Sequence, residues 1–233
     1  MIAYSNGNFS IKINFKEKRI VSLTHSGNEL VRGNIPFFLI KLRDHDNSAK
    51  YISAFETNFV GEKDNVANYS HELFDATLYI SFDANEVIWR IDVCNKSDLL
   101  IEQVELMSIG LNPRLKDEEN GHGSILTSYN EGAIVTNLQR RNNSPFGYME
   151  PEYPSLSKYF IFPNMLSSQF EAFIDDGFGL YFGMHDKART PKHIDFRYVE
   201  ECDALKMQLR SFANVNYGED YKMDYDCVLS FFE

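Results

Sequence analysis

The chain has 233 residues, 43% hydrophobic and 24% charged, with 34 acidic against 23 basic side chains and a formal net charge of −11. These values fit a globular chain and exclude wholesale disorder, while an acidic surface that repels phosphate argues against nucleic-acid partners and anionic membranes. The length suits one large domain or two small ones, and a β-sandwich can use all of it; with no fixed-period repeat and no low-complexity linker, one domain over residues 1–233 is expected.

Residues 1–7 lack the basic flank and apolar core of a secretory leader, and no apolar run approaches the ~20 residues of a membrane helix. Three Cys, at positions 94, 202 and 227, make no disulfide framework and no zinc-type spacing. The expected location is therefore cytoplasmic, unless Met1 replaces a removed leader.

From Phe9 onward the dominant period is two. Phe9, Ile11, Ile13 and Phe15 alternate with Ser10, Lys12 and Asn14, the pattern of a strand with one buried face. After the turn-like run Lys16-Glu17-Lys18-Arg19, Ile20-Val21-Ser22-Leu23 returns as the second arm of a hairpin. Pro36 introduces a strand over 37–42, closed by the polar turn Asp44-His45-Asp46-Asn47. Residues 73–82 form another, with Leu78, Ile80 and Phe82 on one face.

Val87, Trp89, Ile91 and Val93 then point one way and Ile88, Arg90 and Asp92 the other, which puts Trp89 in the core. Val104, Leu106 and Ser108 continue the pattern. Later strands are expected over 170–174 and 179–184, then around Ile194, Phe196 and Tyr198, around Leu205, Met207 and Leu209, and around Tyr225, Cys227, Leu229 and Phe231. No sustained i, i+3, i+4, i+7 stripe occurs; residues 154–158 are the one place for a short helix. Two stretches, 111–123 and 138–164, read as irregular, and ordered loops as long as the second usually carry function or cover a sheet. The expected fold is all-β, a sandwich of two mostly antiparallel sheets.

Phosphate-cradling, zinc-protease and serine-hydrolase motifs are absent, the six His are scattered without metal-ligand spacing, and neither a metal nor a cofactor is expected. Two runs offer chemistry. Tyr129-Asn130-Glu131 lies between Ile125-Leu126 and Ile134-Val135, where a ring can stack on a sugar face and an amide and a carboxylate can bind hydroxyls; Asn-Glu-Gly is equally good β-turn chemistry. The run ending Met184-His185-Asp186 follows the hairpin-type pair Asp176-Gly177 and places a potential base beside a carboxylate, although adjacent strand residues face opposite ways.

Five segments carry a family resemblance: Val87-Ile88-Trp89-Arg90-Ile91-Asp92-Val93-Cys94-Asn95, Ile101-Glu102-Gln103-Val104-Glu105, Tyr129-Asn130-Glu131-Gly132, Phe162-Pro163 with Ser168-Gln169-Phe170, and the run from Gly179 to Asp186. Over residues 9–231 the chain resembles the N-terminal, galactose-mutarotase-like β-supersandwich domain of bacterial glycoside-hydrolase-like proteins. In that family the domain precedes a catalytic (β/α)8 barrel bearing the acid and the nucleophile. The resemblance therefore implies a carbohydrate-associated module, non-catalytic by itself, that packs on such a barrel or contributes to sugar binding. It nominates Tyr129, Asn130, Glu131, His185 and Asp186 for sugar contact. The alternatives are a stand-alone aldose 1-epimerase, which would need a His acid and a Glu base such as His185 and Glu131, and a lectin-like module with aromatic platforms.

Overall fold

The computed structural model describes residues 1–113, 123–129, 132–136, 161–163, 166–175 and 178–233. In chain order the strands are β1 Ile2–Asn6, β2 Phe9–Asn14, β3 Arg19–His25, β4 Asn28–Glu29, β5 Phe38–Arg43, β6 Ala49–Ser53, β7 Asn58–Lys63, β8 Val66–Ser70, β9 Phe74–Asp83 and β10 Glu86–Asn95. They continue with β11 Leu100–Leu111, β12 Ser124–Tyr129, β13 Ala133–Val135, β14 Ile161–Phe162, β15 Leu166–Asp175, β16 Phe178–His185, β17 Lys192–Val199, β18 Ala204–Phe212, β19 Tyr221–Lys222 and β20 Asp226–Phe232. Only single 3-10 turns, Ala54–Glu56 and Glu200–Cys202, interrupt the strands among the described residues. Residues 154–158 and the pair Asp176-Gly177 lie outside them. No described helix is long and apolar enough to cross a membrane.

The strands pair antiparallel into three sheets. A ten-stranded sheet runs β13-β12-β15-β16-β20-β10-β9-β8-β7, with β19 alongside β10; a six-stranded sheet runs β14-β17-β18-β11-β5-β6; and β1 to β4 form a small sheet in sequence order. The two large sheets face each other across the core. Phe38 of β5 meets the Tyr69 ring of β8 edge-on at 5.4 Å, and Phe37 approaches Trp89 of β10 at 6.1 Å. The small sheet closes one end of that core: Phe9 packs on Phe231 at 4.7 Å and Tyr4 stacks on Phe82 at 4.6 Å.

The period-two reading explains the ten-stranded sheet. Trp89 sits opposite Ile80 of β9 and Cys227 of β20, fully buried, and its indole N–H has no hydrogen-bond partner among the described residues. Its ring area outweighs that orphaned donor, because burying a large aromatic side chain is worth more than one neutral hydrogen bond. The two-residue loop joining β7 to β8 has Asp64 and Asn65 both at positive φ, 53° and 62°. That is the hairpin geometry that Asp and Asn tolerate better than branched residues.

Strand β11 departs from simple alternation. Every residue from Ile101 to Leu111 is buried. Its register shifts twice, between Ile101 and Gln103 against β5 and between Leu106 and Ile109 against β18, the second time around Met107 at φ 57°. A bulge adds a residue and reverses which side chains face inward. The second one keeps Ile109 and Leu111 beneath Met207 and Leu205 and turns Ser108 away from the expected core face, to donate to Glu105 at 2.7 Å.

Candidate functional site

Tyr129 ends β12 opposite Leu166 of β15, and His185 ends β16 two residues beyond Gly183, which faces Phe170 of β15. The backbones of Tyr129 and His185 thus lie at the same end of the ten-stranded sheet, one strand apart. Asn130 and Glu131 lie outside the described residues, as does the side chain of Tyr129. The neighbours His185 and Asp186 point in opposite directions. His185 is exposed on the outer face, its Nε2 3.1 Å from the Tyr181 hydroxyl.

Asp186 turns inward. It accepts hydrogen bonds from the backbone N–H of Ala188 at 2.7 Å and of Thr190 at 2.8 Å, from the Thr190 hydroxyl at 2.6 Å, and from the buried ammonium of Lys192. Burial pushes its carboxyl up, but the bonds from Lys192, Thr190 and Ala188 outweigh it and bring the pKa down to about 2. This carboxylate is committed to the chain's own turn.

A second constellation lies on the six-stranded sheet, on the face turned away from Ile40, Val104 and Leu209. Strand β5 supplies Lys41 and Arg43, β11 supplies Glu102, Gln103 and Glu105, β18 supplies Lys206, Gln208 and Arg210, and β17 supplies His193. The register sets His193 opposite Arg210, Arg210 opposite Glu105, and Gln103 opposite Lys41. Adjacent strands are ~4.8 Å apart, so these side chains form close rows across the sheet. The outer face of a sheet is commonly solvated. Here most of it is withdrawn from water: Lys41 and His193 are each 1% exposed, and Glu102, Gln103, Glu105, Gln208 and Arg210 are also buried.

Two ion-pair groups organise the face. Glu102 holds Lys41 at 2.9 Å and accepts from Arg43 Nε. Glu105 holds Lys206 at 2.7 Å and Arg210 at 3.5 Å, and accepts from Ser108. Burial raises the Glu105 carboxyl, and Lys206, Arg210 and Ser108 more than reverse this, so its pKa lies below the ordinary carboxylate value. His193 moves the other way from a working acid: burial first, and the Arg210 charge second, hold its pKa well below 6.5, so the ring is neutral at neutral pH. Carboxylates, amides and a guanidinium on rigid strands can bind hydroxyl groups through paired donors and acceptors. Among the described residues no group of three or more His, Cys, Asp or Glu side chains is placed to hold a metal ion.

The sequence reading missed this face, although a signal was there. In Ile101-Glu102-Gln103-Val104-Glu105 and in Leu205-Lys206-Met207-Gln208-Leu209-Arg210, the positions between core residues carry long charged or amide side chains almost without exception. Alternation alone assigns such positions to solvent. Nothing in a single strand shows that they pair with charges on its neighbours.

No family model matches the chain, and no curated protein matches it. Solved structures do. The alpha-N-acetylgalactosaminidase NagBb from Bifidobacterium bifidum, in complex with GalNAc, aligns with 100% of this chain at TM-score 0.58 and 11% identity, and the chain spans only 35% of that protein's length. A galactose mutarotase related enzyme from Lactobacillus acidophilus aligns over 100% of this chain and 98% of its own, at TM-score 0.52 and 10% identity. An aldose 1-epimerase-like protein from Escherichia coli K12 aligns over 99% and 98%, at TM-score 0.52 and 9% identity. At these identities the likeness is one of fold, and the fold is galactose-mutarotase-like, an all-β sandwich.

Proposed function

We propose that this chain is a carbohydrate-associated domain that binds a sugar through the polar face of the six-stranded sheet and breaks no glycosidic bond by itself. The observation that carries the reading is the buried row His193, Arg210 and Glu105, flanked by Gln103 and Gln208. Rows of carboxylate, amide and guanidinium groups on rigid strands offer the paired donors and acceptors that polar recognition uses. Its electrostatics favour holding over proton transfer. A general acid must carry its proton at working pH and a base must be free to take one. His193 is neutral, and two cations hold Glu105 in its charged form. The likeness to one third of a larger galactosaminidase supports a role beside a catalytic domain, with the adjoining barrel as partner.

The test is a titration of isotope-labelled protein with galactose, N-acetylgalactosamine and glucose, following the side-chain amides of Gln103 and Gln208. Shifts at those amides with affinity near ~mM, lost in Gln208→Ala, are expected for a small ligand on a single module. Absence of shifts there with every sugar overturns the reading. A second reading, an aldose 1-epimerase, draws on the match to nearly the full length of two mutarotase-like structures. Mutarotation of glucose or galactose faster than buffer, abolished by Glu105→Gln and by His193→Ala, would replace the first reading with the second.

A further inference from the structure

The outer face of the ten-stranded sheet, opposite the core, carries a row of side chains that the proposed sugar site does not use. The register sets Val66 opposite Tyr79, and Tyr79 opposite Arg90. Arg90 Nε donates to Asp226 at 2.5 Å, and Asp226 lies opposite His185. This row crosses five adjacent strands, a span of ~19 Å at the usual strand spacing. One pleat along lies an apolar row: Ile88, Val228, Gly183 and Phe170 are successive register partners. Tyr181 lies over that row, whose Val228 and Gly183 are buried, so the apolar surface facing outward is its own half-buried ring together with Ile88 and Phe170. Its ring lies over Gly183, where an added Cβ would stand 2.3 Å from the phenol oxygen, and it stacks on Phe170 at 5.3 Å. Between the rows is an open groove of about 430 Å³, lined by Val66, Tyr79, Ser81, Ile88, Arg90 and Asp226.

We propose that this face is a second carbohydrate-binding surface, one that takes a neutral oligosaccharide lying across the strands. The proposal extends the carbohydrate reading to a different face of the protein. A pyranose has an apolar C–H face and a polar rim, and two parallel rows, one apolar and one hydrogen-bonding, match both sides of that amphipathic ring. Arg90 and Asp226 have side chains 49% and 32% exposed, and together they offer water or a ligand both donors and an acceptor, the set that vicinal hydroxyls require. Tyr79, 38% exposed, presents its ring while its hydroxyl is tied to Asp92 at 3.2 Å. The length of the row fits a chain of sugars better than one. Other occupants fit less well. A peptide adding a strand needs a free sheet edge, and these strands are all interior ones. An anionic glycan or lipid surface meets a chain of net charge −11.

The experiment titrates isotope-labelled protein with cellotetraose, maltotetraose and β-1,4-galactotetraose, and repeats each titration with Tyr79→Ala and Arg90→Ala. Both side chains are exposed enough for the variants to keep the fold, and unchanged melting temperatures would verify this. The expected result is shifts at Tyr79, Arg90 and His185 with at least one tetrasaccharide, and at least tenfold weaker binding in both variants. Tetrasaccharide binding that moves only Gln103 and Gln208 and is unchanged in both variants overturns this proposal and leaves the six-stranded-sheet site standing. Shifts at the Tyr79 row alone support this surface and remove the other, and no shift with any sugar removes both.

Discussion

Lys192 and Asp186 form an ion pair out of reach of water, with side chains 0% and 3% exposed, closing the connection between β16 and β17. The Lys192 ammonium also donates to the Thr190 carbonyl at 2.7 Å and the Thr190 hydroxyl at 2.9 Å, and it sits 4.7 Å from the centre of the Tyr225 ring. Three donors with three acceptors make the buried charge tolerable. Asp186→Ala would leave it unpaired and should cost ~3–5 kcal/mol, read as a lower denaturation midpoint at pH 7. The pair also sets an acid limit. The Asp186 carboxyl lies at about 2 when folded against 3.8 as its ordinary value. The corresponding ~2 kcal/mol is fully present above about pH 4 and is lost as pH falls through about 2. Asp186→Asn should flatten the stability curve over that window, and an unchanged curve would show that the pair contributes nothing to acid sensitivity.

His193 governs a window at higher pH. Its folded pKa is depressed by burial, so below 6.5 the unfolded chain takes up a proton that the folded chain refuses. Stability is therefore greatest above the unfolded value and falls as pH drops through it, with a slope of up to ~1.4 kcal/mol per unit from this one residue. Urea melts at pH 7.5, 6.5, 5.5 and 4.8 measure the slope. His193→Gln removes the titrating ring and should reduce it by about one proton; a slope that persists in the variant would assign the effect elsewhere.

Trp89 tests the core. Its ring lies among Phe37, Ile80 and Cys227 with no exposed area, so Trp89→Ala should cost ~3–5 kcal/mol. Trp89→Phe should cost much less, because it keeps most of the aromatic area and deletes the indole N–H that finds no partner among the described residues. Equal losses in the two variants would mean that the indole nitrogen is bonded in solution. The measurement is the thermal midpoint of each variant.

How much of this was legible in the sequence depends on whether a feature is carried by one strand or by several. The alternation of Val87, Trp89, Ile91 and Val93 is complete within seven residues, and the core position of Trp89 follows from it. Strands β1, β4, β6, β7, β8, β14 and β19 are not among those the sequence predicts: edge or two-residue strands such as Asn28–Glu29 carry too little apolar pattern, and β8 has only Ala67 and Tyr69 on its buried face. The fully buried stretch of β11 was read as ordinary alternation because its bulges arise from register against β5 and β18, which no single strand encodes. The row His193, Arg210 and Glu105 joins three strands, with Glu105 and Arg210 more than one hundred positions apart in the chain. Each looks like a solvated charge by itself, and only sheet order brings them together. The backbones of His185 and Tyr129 share one end of one sheet for the same reason, through the pairing of β12 and β16 with β15 between them.

Gly183 tests the outer face of the ten-stranded sheet without touching a charge. A methyl group there would meet the Tyr181 ring at 2.3–2.6 Å, against the mobile end of a side chain and not against backbone. Tyr181 can swing aside, so Gly183→Ala should change stability by no more than ~1 kcal/mol, with the strand's gain from replacing Gly offsetting the lost ring contact. The displaced ring would leave both Phe170, now stacked at 5.3 Å, and the Nε2 of His185, now 3.1 Å from its hydroxyl. Ring-to-ring NOEs between Tyr181 and Phe170 should vanish in the variant while NOEs within the Trp89 core stay unchanged. NOEs retained at full strength would show that Tyr181 does not lie over Gly183, and that the apolar row continues uncovered past Val228.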